Sequence, residues 1–268
     1  MNMENGVVHI SIAPQRREPS HKSELVNQLL FGEMIEILEV NDKWSKVRNK
    51  HDQYEAWMQN STFMVIDQEA PVNWDKFVYC GEVNAYVTTE DGPANLVLGS
   101  RFVDYSNNVF KMNQLVYHTY SEILEQTEKY LVDNIIKTAK MYLNCPYLWG
   151  GRSPFGIDCS GLTQMVFQLN NIQLLRDASQ QETMGKKVAL NKAEPGDLAF
   201  FHNDEGHVSH VGLIFEKKWD ELKIIHATDS AGKVRVDFLD KKGIFNKEKN
   251  THTHNLHSIK RILKDENS

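Results

Sequence analysis

Three residues in the C-terminal half have the types and spacing for nucleophilic catalysis. Cys159 stands between Asp158 and Ser160 in the stretch GIDCSGLTQMVFQL, residues 156–169. Leu162, Met165, Val166 and Leu169 follow at i, i+3, i+4 and i+7, one face of an amphipathic helix. Asp158 is a good N-cap residue, which places the thiol in the first helical turn. Unpaired backbone N–H groups and the positive end of the helix dipole there favour thiolate over thiol, and the same amides can stabilise an oxyanion. Cysteine is also among the most buried residue types, so a packing role competes until a base is found.

Eleven histidines compete for that role. His210 and His226 lie in consecutive alternating stretches, SHVGLIFE (209–216) and LKIIHAT (222–228), and are symmetric about Lys218 in the polar connection EKKWDE. A hairpin centred on Lys218 makes them direct cross-strand neighbours, with Cβ atoms about 4.5–5.5 Å apart. One imidazole then orients the other, and the set reads as nucleophile Cys159, base His210 and orienter His226. A one-residue slip of register destroys the pairing. Cys80 and Cys145 read as packing residues. His202, His207 and His210 in HNDEGHVSH have mixed spacing and no second ligand set, and His252, His254 and His257 in THTHNLHS read as a solvated strand. No metal and no other cofactor is expected.

Elements on either side must hold these residues. Residues 121–143 carry apolar side chains at Ile123, Leu124, Leu131, Ile135, Ile136, Ala139 and Tyr142, the pattern of one or two helices. The glycine-rich CPYLWGGRSPFG (145–156) leads into the helix after Asp158. Then come GDLAFF (196–201), SHVGLIFE, LKIIHAT and VRVDFL (234–239), which predict an antiparallel sheet. Helices first and sheet second give an α+β domain. Residues 1–120 instead hold short alternating stretches broken by polar turns, the pattern of small barrels. LLFGEMIEI (29–37) and LVLGSRFVD (96–104) match weakly, with Gly32 and Gly99 in equivalent places, and DQEAPVNWDK (67–76) reads as the linker between two such units.

At 268 residues the chain is long enough for two or three domains. Lysine plus arginine number 30 against 36 aspartate plus glutamate, a formal charge of -6 with no basic block, which excludes a phosphate-tracking nucleic-acid binder. Three cysteines without a C-x-x-C pair argue against a disulfide framework and for a reducing compartment. The N-terminus has no basic region followed by an apolar core, and no segment approaches the roughly 18 apolar residues of a membrane span. The expectation is a cytoplasmic monomer with no membrane or nucleic-acid partner.

YLWGGRSPFGIDCSGL, followed by PGDLAFF, SHVGLIF and IIHAT, closely resembles the NlpC/P60 cysteine peptidases, over about residues 125–265. Upstream, APQRREPSHKSELVNQLLFGE and YEAWM are similar to the first bacterial SH3-type domain of the subset that acts as γ-D-glutamyl-L-diamino acid endopeptidases. The resemblance implies a papain-like catalytic domain over 121–268, preceded by SH3-like β-barrels over 1–68 and 75–120. It implies Cys159 as nucleophile, His210 as base and His226 as the third polar residue. The implied substrate is a small cell-wall peptide, L-Ala-γ-D-Glu-diamino acid with a free amino terminus, cut after the γ-carboxyl of D-Glu during murein peptide recycling. Tyr147 and Trp149 then shape the pocket, Asp158 and Ser160 flank the nucleophile as substrate contacts, Ser179 of RDASQQ is a further contact, and Glu55 of YEAWM helps hold the substrate ammonium. Asp158 keeps two readings, helix cap and amine ligand.

Two other classes remain open. A related papain-like amidase or acyltransferase is one, although Cys159 preceding both histidines counts against the permuted acyltransferases. A non-catalytic module that grips a wall peptide or a protein is the other, and the intact Cys159, His210 and His226 set counts against it.

Overall fold

Alternation of apolar and polar residues builds most of this chain. The structure, a computed structural model, describes residues 4–90, 92–125 and 132–263. It divides into two units, one made of Met1–Gln126 with Trp149–Pro154, the other of Thr127–Leu148 with Phe155–Ser268.

In the first unit a seven-stranded antiparallel sheet runs in the order Leu25–Leu30, Ile12–Arg16, Glu55–Gln59, Trp44–Asn49, Met34–Val40, Asn5–Val8, Phe63–Val65. Alternate residues such as Ile35, Ile37, Val47 and Met58 point inward with Val8, Ala13, Leu29 and Phe63 to form its core. Each such aliphatic side chain contributes about 1.5–3 kcal/mol when fully buried. Residues 77–124 form a four-stranded and a three-stranded sheet. Their core, with Phe102, Phe110 and Tyr117 stacked at centroid distances of 4.6 and 4.8 Å, also takes in Val7 and Phe31 of the first sheet. The two sets of strands therefore share a core. The 67–76 stretch, expected as a linker, has Ala70 buried and Trp74 packed on that core. Gly32 and Gly99, the matched glycines, both turn the chain at positive φ, 78° and 90°. At Gly32 a Cβ would also lie 2.2 Å from the Arg101 carbonyl oxygen.

Trp149–Pro154 belongs to this unit because of Arg152. Its guanidinium is fully buried and donates to both Glu33 carboxylate oxygens, at 2.8 and 3.0 Å. Burial would raise the Glu33 carboxyl, but Arg152, with His51 and Arg101, holds it well below the carboxylate range. Removing either member of such a pair leaves a buried charge uncompensated.

The second unit has helices α1 (Val132–Met141), α2 (Cys159–Gln168) and α3 (Ala178–Glu182), followed by an antiparallel sheet. Its strand order is Lys186–Lys187, Thr251–Arg261, Leu198–His202, Val208–Lys218, Glu221–Thr228, Lys233–Leu239, Gly243–Asn246. A further pairing of Thr251–Arg261 with Gly243–Asn246 closes six of these strands into a ring. The four strands expected between 196 and 239 are all present.

Two expectations need correction. Of the helix expected across 121–143, only α1 forms among the described residues, and Leu131 lies outside them. Ile123 and Leu124 instead pair with Cys80 and Tyr79 at a sheet edge, where their backbone groups gain partners. The α+β balance also shifts, because among the described residues strands dominate both units and the three α-helices span only ten, ten and five residues. Helix α2 is buried on every face, not one. Two of its polar residues find internal partners: Thr163 Oγ1 donates to Gln181 at 2.7 Å and Gln164 Nε2 to the Leu174 carbonyl at 3.2 Å.

Candidate active site

Helix α2 starts at Cys159 because Asp158 is extended, with φ −95° and ψ −179°, and its Oδ1 accepts the Gly161 N–H at 2.7 Å. Asp158 thus takes the Gly161 N–H on its side chain and the Leu162 N–H on its carbonyl, and the Ser160 amide remains for the thiol. The Cys159 sulfur takes backbone N–H groups from Val211, next in chain to His210, and from Ser160. Burial nevertheless pushes the thiol up to about 12, aided by the Asp158 charge and opposed by those amides and Arg176. The thiolate expected from the helix start is outweighed by loss of water, so the resting group is a thiol.

The histidine pair forms in a register other than the expected one. The hairpin turns at Trp219–Asp220, with Trp219 at φ 58°, and a bulge between Ile214 and Glu216 shifts the ladder so that Leu213 faces Ile225. Continuing that register sets His226 opposite Gly212 and His210 opposite Thr228. The slip amounts to two residues, so both rings stay on one face as diagonal neighbours, within reach of long side chains. Gly212 makes room for this: a Cβ there would lie 2.6 Å from Ile224 Cδ1 and 3.1 Å from His226 Cβ. His210 Nε2 and His226 Nδ1 are 2.9 Å apart, with ring planes at 85°. Both imidazoles are buried, and burial holds His210 well below 6.5 and lowers His226 as well. The site at rest is a neutral thiol beside neutral imidazoles.

Asp158 does more than cap. Arg176, buried, donates Nη2 to Asp158 Oδ2 at 2.6 Å and Nη1 to Oδ1 at 3.1 Å, and the same Nη1 donates to Ser160 Oγ at 2.8 Å. The two residues flanking Cys159 are thus tied to one guanidinium. Tyr147 is half-buried, and burial together with the charges of Cys159, Asp158 and Asp229 raises its hydroxyl, which puts its ring in the same neighbourhood. Ser179 is exposed on α3. Trp149 and Glu55 belong to the first unit. There Trp149 Nε1 donates to Glu24 at 2.8 Å, and Glu55 is exposed and paired with Arg48 at 2.7 Å and Lys46 at 3.2 Å.

Three residues at this site escaped the sequence reading. Arg176 is one. His254, expected in a solvated strand, stacks on His210 with centroids 4.1 Å apart and planes at 23°. The strand is there, but its alternation turns His252 and His254 inward and His257 outward. The third is Asp237, which lies 3.1 Å from His226 Nε2 through Oδ2. An aspartate within the apolar run VRVDFL was the available signal, since strands are depleted of Asp unless something pairs with it. Ligand atoms of His210, His226 and His254 lie within 4.8 Å of one another.

The bacterial dipeptidyl-peptidase SH3 domain pattern matches residues 16–63, and the NlpC/P60 family pattern matches residues 144–253. Dipeptidyl-peptidase 6 of Lysinibacillus sphaericus is 27% identical over 267 residues, covering 88% of this chain and 92% of that one. The γ-D-glutamyl-L-lysine dipeptidyl-peptidase of Bacillus subtilis strain 168 is 29% identical over 203 residues, covering 69% and 68%. A crystal structure of an NlpC/P60 family protein from Bacillus cereus ATCC 10987 superposes with a TM-score of 0.80 at 20% identity, covering 97% of this chain and all of that one, which shows the shared fold. The SH3 match ends before the strands after residue 76. Domain content and relatives together support a peptidase. The chain carries an NlpC/P60 family domain preceded by a bacterial dipeptidyl-peptidase SH3 domain.

Proposed function

We propose that the protein is a cysteine endopeptidase that cuts cell-wall peptides between the γ-carboxyl of D-Glu and a diamino acid, requires a free N-terminal L-Ala, and works on recycled murein peptides in the cytoplasm. The observation that carries this reading is the Cys159 thiol, held at the start of α2 against the Val211 amide beside the His210–His226 hydrogen bond of 2.9 Å. The names of the relatives supply the bond class. The three free cysteines agree with a reducing compartment.

The chemistry follows from the neutral resting pair. Cys159 Sγ attacks the γ-carbonyl carbon as its proton passes to His210 Nδ1, so no stored thiolate is required. The tetrahedral oxyanion forms beside the first-turn amides of α2. Collapse breaks the C–N bond, and His210 returns the proton to the leaving amine. Water then attacks the thioester carbon, gives a proton to His210, and the C–S bond breaks to restore the thiol. In this reading Asp158 contacts the substrate's ammonium and Tyr147 shapes the pocket, and the influence of the Cys159 and Asp158 charges on Tyr147 supports their proximity.

The test is incubation with L-Ala-γ-D-Glu-meso-diaminopimelate, its L-lysine counterpart and their N-acetylated forms, followed by mass spectrometry of the released diamino acid. Cleavage of the free-amine peptides only, abolished by Cys159→Ala, is expected. Equal cleavage of the acetylated forms removes the amine requirement, and tight binding without cleavage supports a non-catalytic module.

A further inference from the structure

We propose that Asp237 is a positioning residue for this reaction: it sets the tautomers of His226 and His210 so that His210 Nδ1 is left bare to take the thiol proton. The inference rests on the peptidase reading above.

The three side chains step diagonally across adjacent strands on one sheet face. His226 is paired with Arg235, and Asp237 lies two residues further along the same strand, so it shares their face. Asp237 is buried, with Oδ2 lying 3.1 Å from His226 Nε2, while Arg235 Nη2 donates to Oδ1 at 2.8 Å. Burial would raise its carboxyl, but His226 and Arg235 together lower it, so it is ionised and can only accept.

The hydrogen positions then follow from the network. An accepting Asp237 requires the proton on His226 Nε2. His226 is neutral, so its Nδ1 is bare and must accept. The partner 2.9 Å away, His210 Nε2, must therefore donate. His210 is neutral too, which leaves Nδ1 unprotonated. One carboxylate thus dictates both rings. A purely structural Asp237 would only balance Arg235, which also reaches Glu248 at 3.3 Å.

Asp237→Asn replaces an obligate acceptor by an amide that can donate to His226 Nε2. The chain can then reverse, with His226 Nδ1–H donating to His210 Nε2 and the proton moving to His210 Nδ1, where it blocks the base. The expected loss in kcat is about 10–100-fold, as for other outer partners of functional histidines, with KM unchanged. In a His226→Gln background the same substitution should change kcat less than about 2-fold, since the imidazole that transmits its effect is gone. An equal loss in both backgrounds would mean a structural role and overturn the proposal.

Long-range ¹H–¹⁵N spectra of the wild-type rings decide the matter without substrate or a folded variant. Protonated Nε2 and bare Nδ1 on both His210 and His226 are expected, and a protonated Nδ1 on His226 overturns the proposal even if the peptides are cleaved. Conversely, failure to cleave any peptide with the expected tautomers present would sink the functional reading and leave the Asp237 assignment standing.

Discussion

Replacing Arg176 by methionine tests how the start of helix α2 is anchored. The guanidinium is 1% exposed and makes hydrogen bonds of 2.6 and 3.1 Å to Asp158 and 2.8 Å to Ser160. Methionine keeps much of the packing but leaves the Asp158 carboxylate, itself 6% exposed, without its cation. Breaking a buried pair in this way costs about 3–5 kcal/mol. At roughly 2–4 °C per kcal/mol for a protein of this size, the calorimetric midpoint of the unit holding α2 should fall by about 6–20 °C. Asp158→Asn keeps the capping oxygen for Gly161 but strands Arg176, and should cost a similar amount. The double variant removes both charges and should be more stable than the sum of the single losses, by about 0.5–3 kcal/mol of coupling. The chemistry should move as well. Arg176 lowers the Cys159 thiol and Asp158 raises it, so Arg176→Met should slow alkylation of Cys159 at a fixed pH and Asp158→Asn should speed it. A midpoint loss equivalent to less than about 1 kcal/mol for Arg176→Met, or strict additivity in the double variant, would refute the anchoring argument.

Three other outcomes follow from the same contacts. His254 is lowered from 6.5 to about 4, chiefly by burial, so between those values the unfolded chain binds a proton that the native state refuses. His254 alone is therefore expected to lower stability by up to about 3 kcal/mol as pH drops from 6.5 toward 4, added to the losses from His210 and His226, and His254→Gln should make the slope measured by thermal melts shallower. Because burial holds His210 well below 6.5, the acid limb of kcat/KM should lie below pH 6.5; a half-maximum above that value contradicts a neutral resting base. Gly212→Ala would crowd Ile224 and His226, so kcat should drop at least about 10-fold at a stability loss of about 1–3 kcal/mol, and unchanged kcat would remove Gly212 from the account of how the rings meet.

Local rules made part of the site legible. Asp158 followed by apolar residues at helical spacing defines a capped helix whatever surrounds it, because the cap bond to Gly161 spans three residues. The strands around His210 and His226 were legible for the same reason, since alternation is written residue by residue. The exact register was not. A bulge near Phe215 and a turn at Trp219 each move the ladder, and neither announces itself in composition. The prediction of one shared face survived only because the two shifts combine to an even number.

Long-range partners were the part that could not be read. Arg176 meets Asp158 across 18 residues, Asp237 meets His226 across 11, and His254 reaches His210 from the last strand, which closes the ring of six. Burial was equally hidden: the helix start argues for a thiolate, while the packing of α2 on every face withdraws the water that would stabilise it. The helix start at Cys159, its Asp158 cap and the two strands bearing the histidines were legible in the sequence, because each depends on neighbours a few residues away. The protonation state of the thiol and the tautomers proposed for His210 and His226 arise in the folded interior, because desolvation and hydrogen-bond direction belong to the assembled structure and not to any segment of the chain.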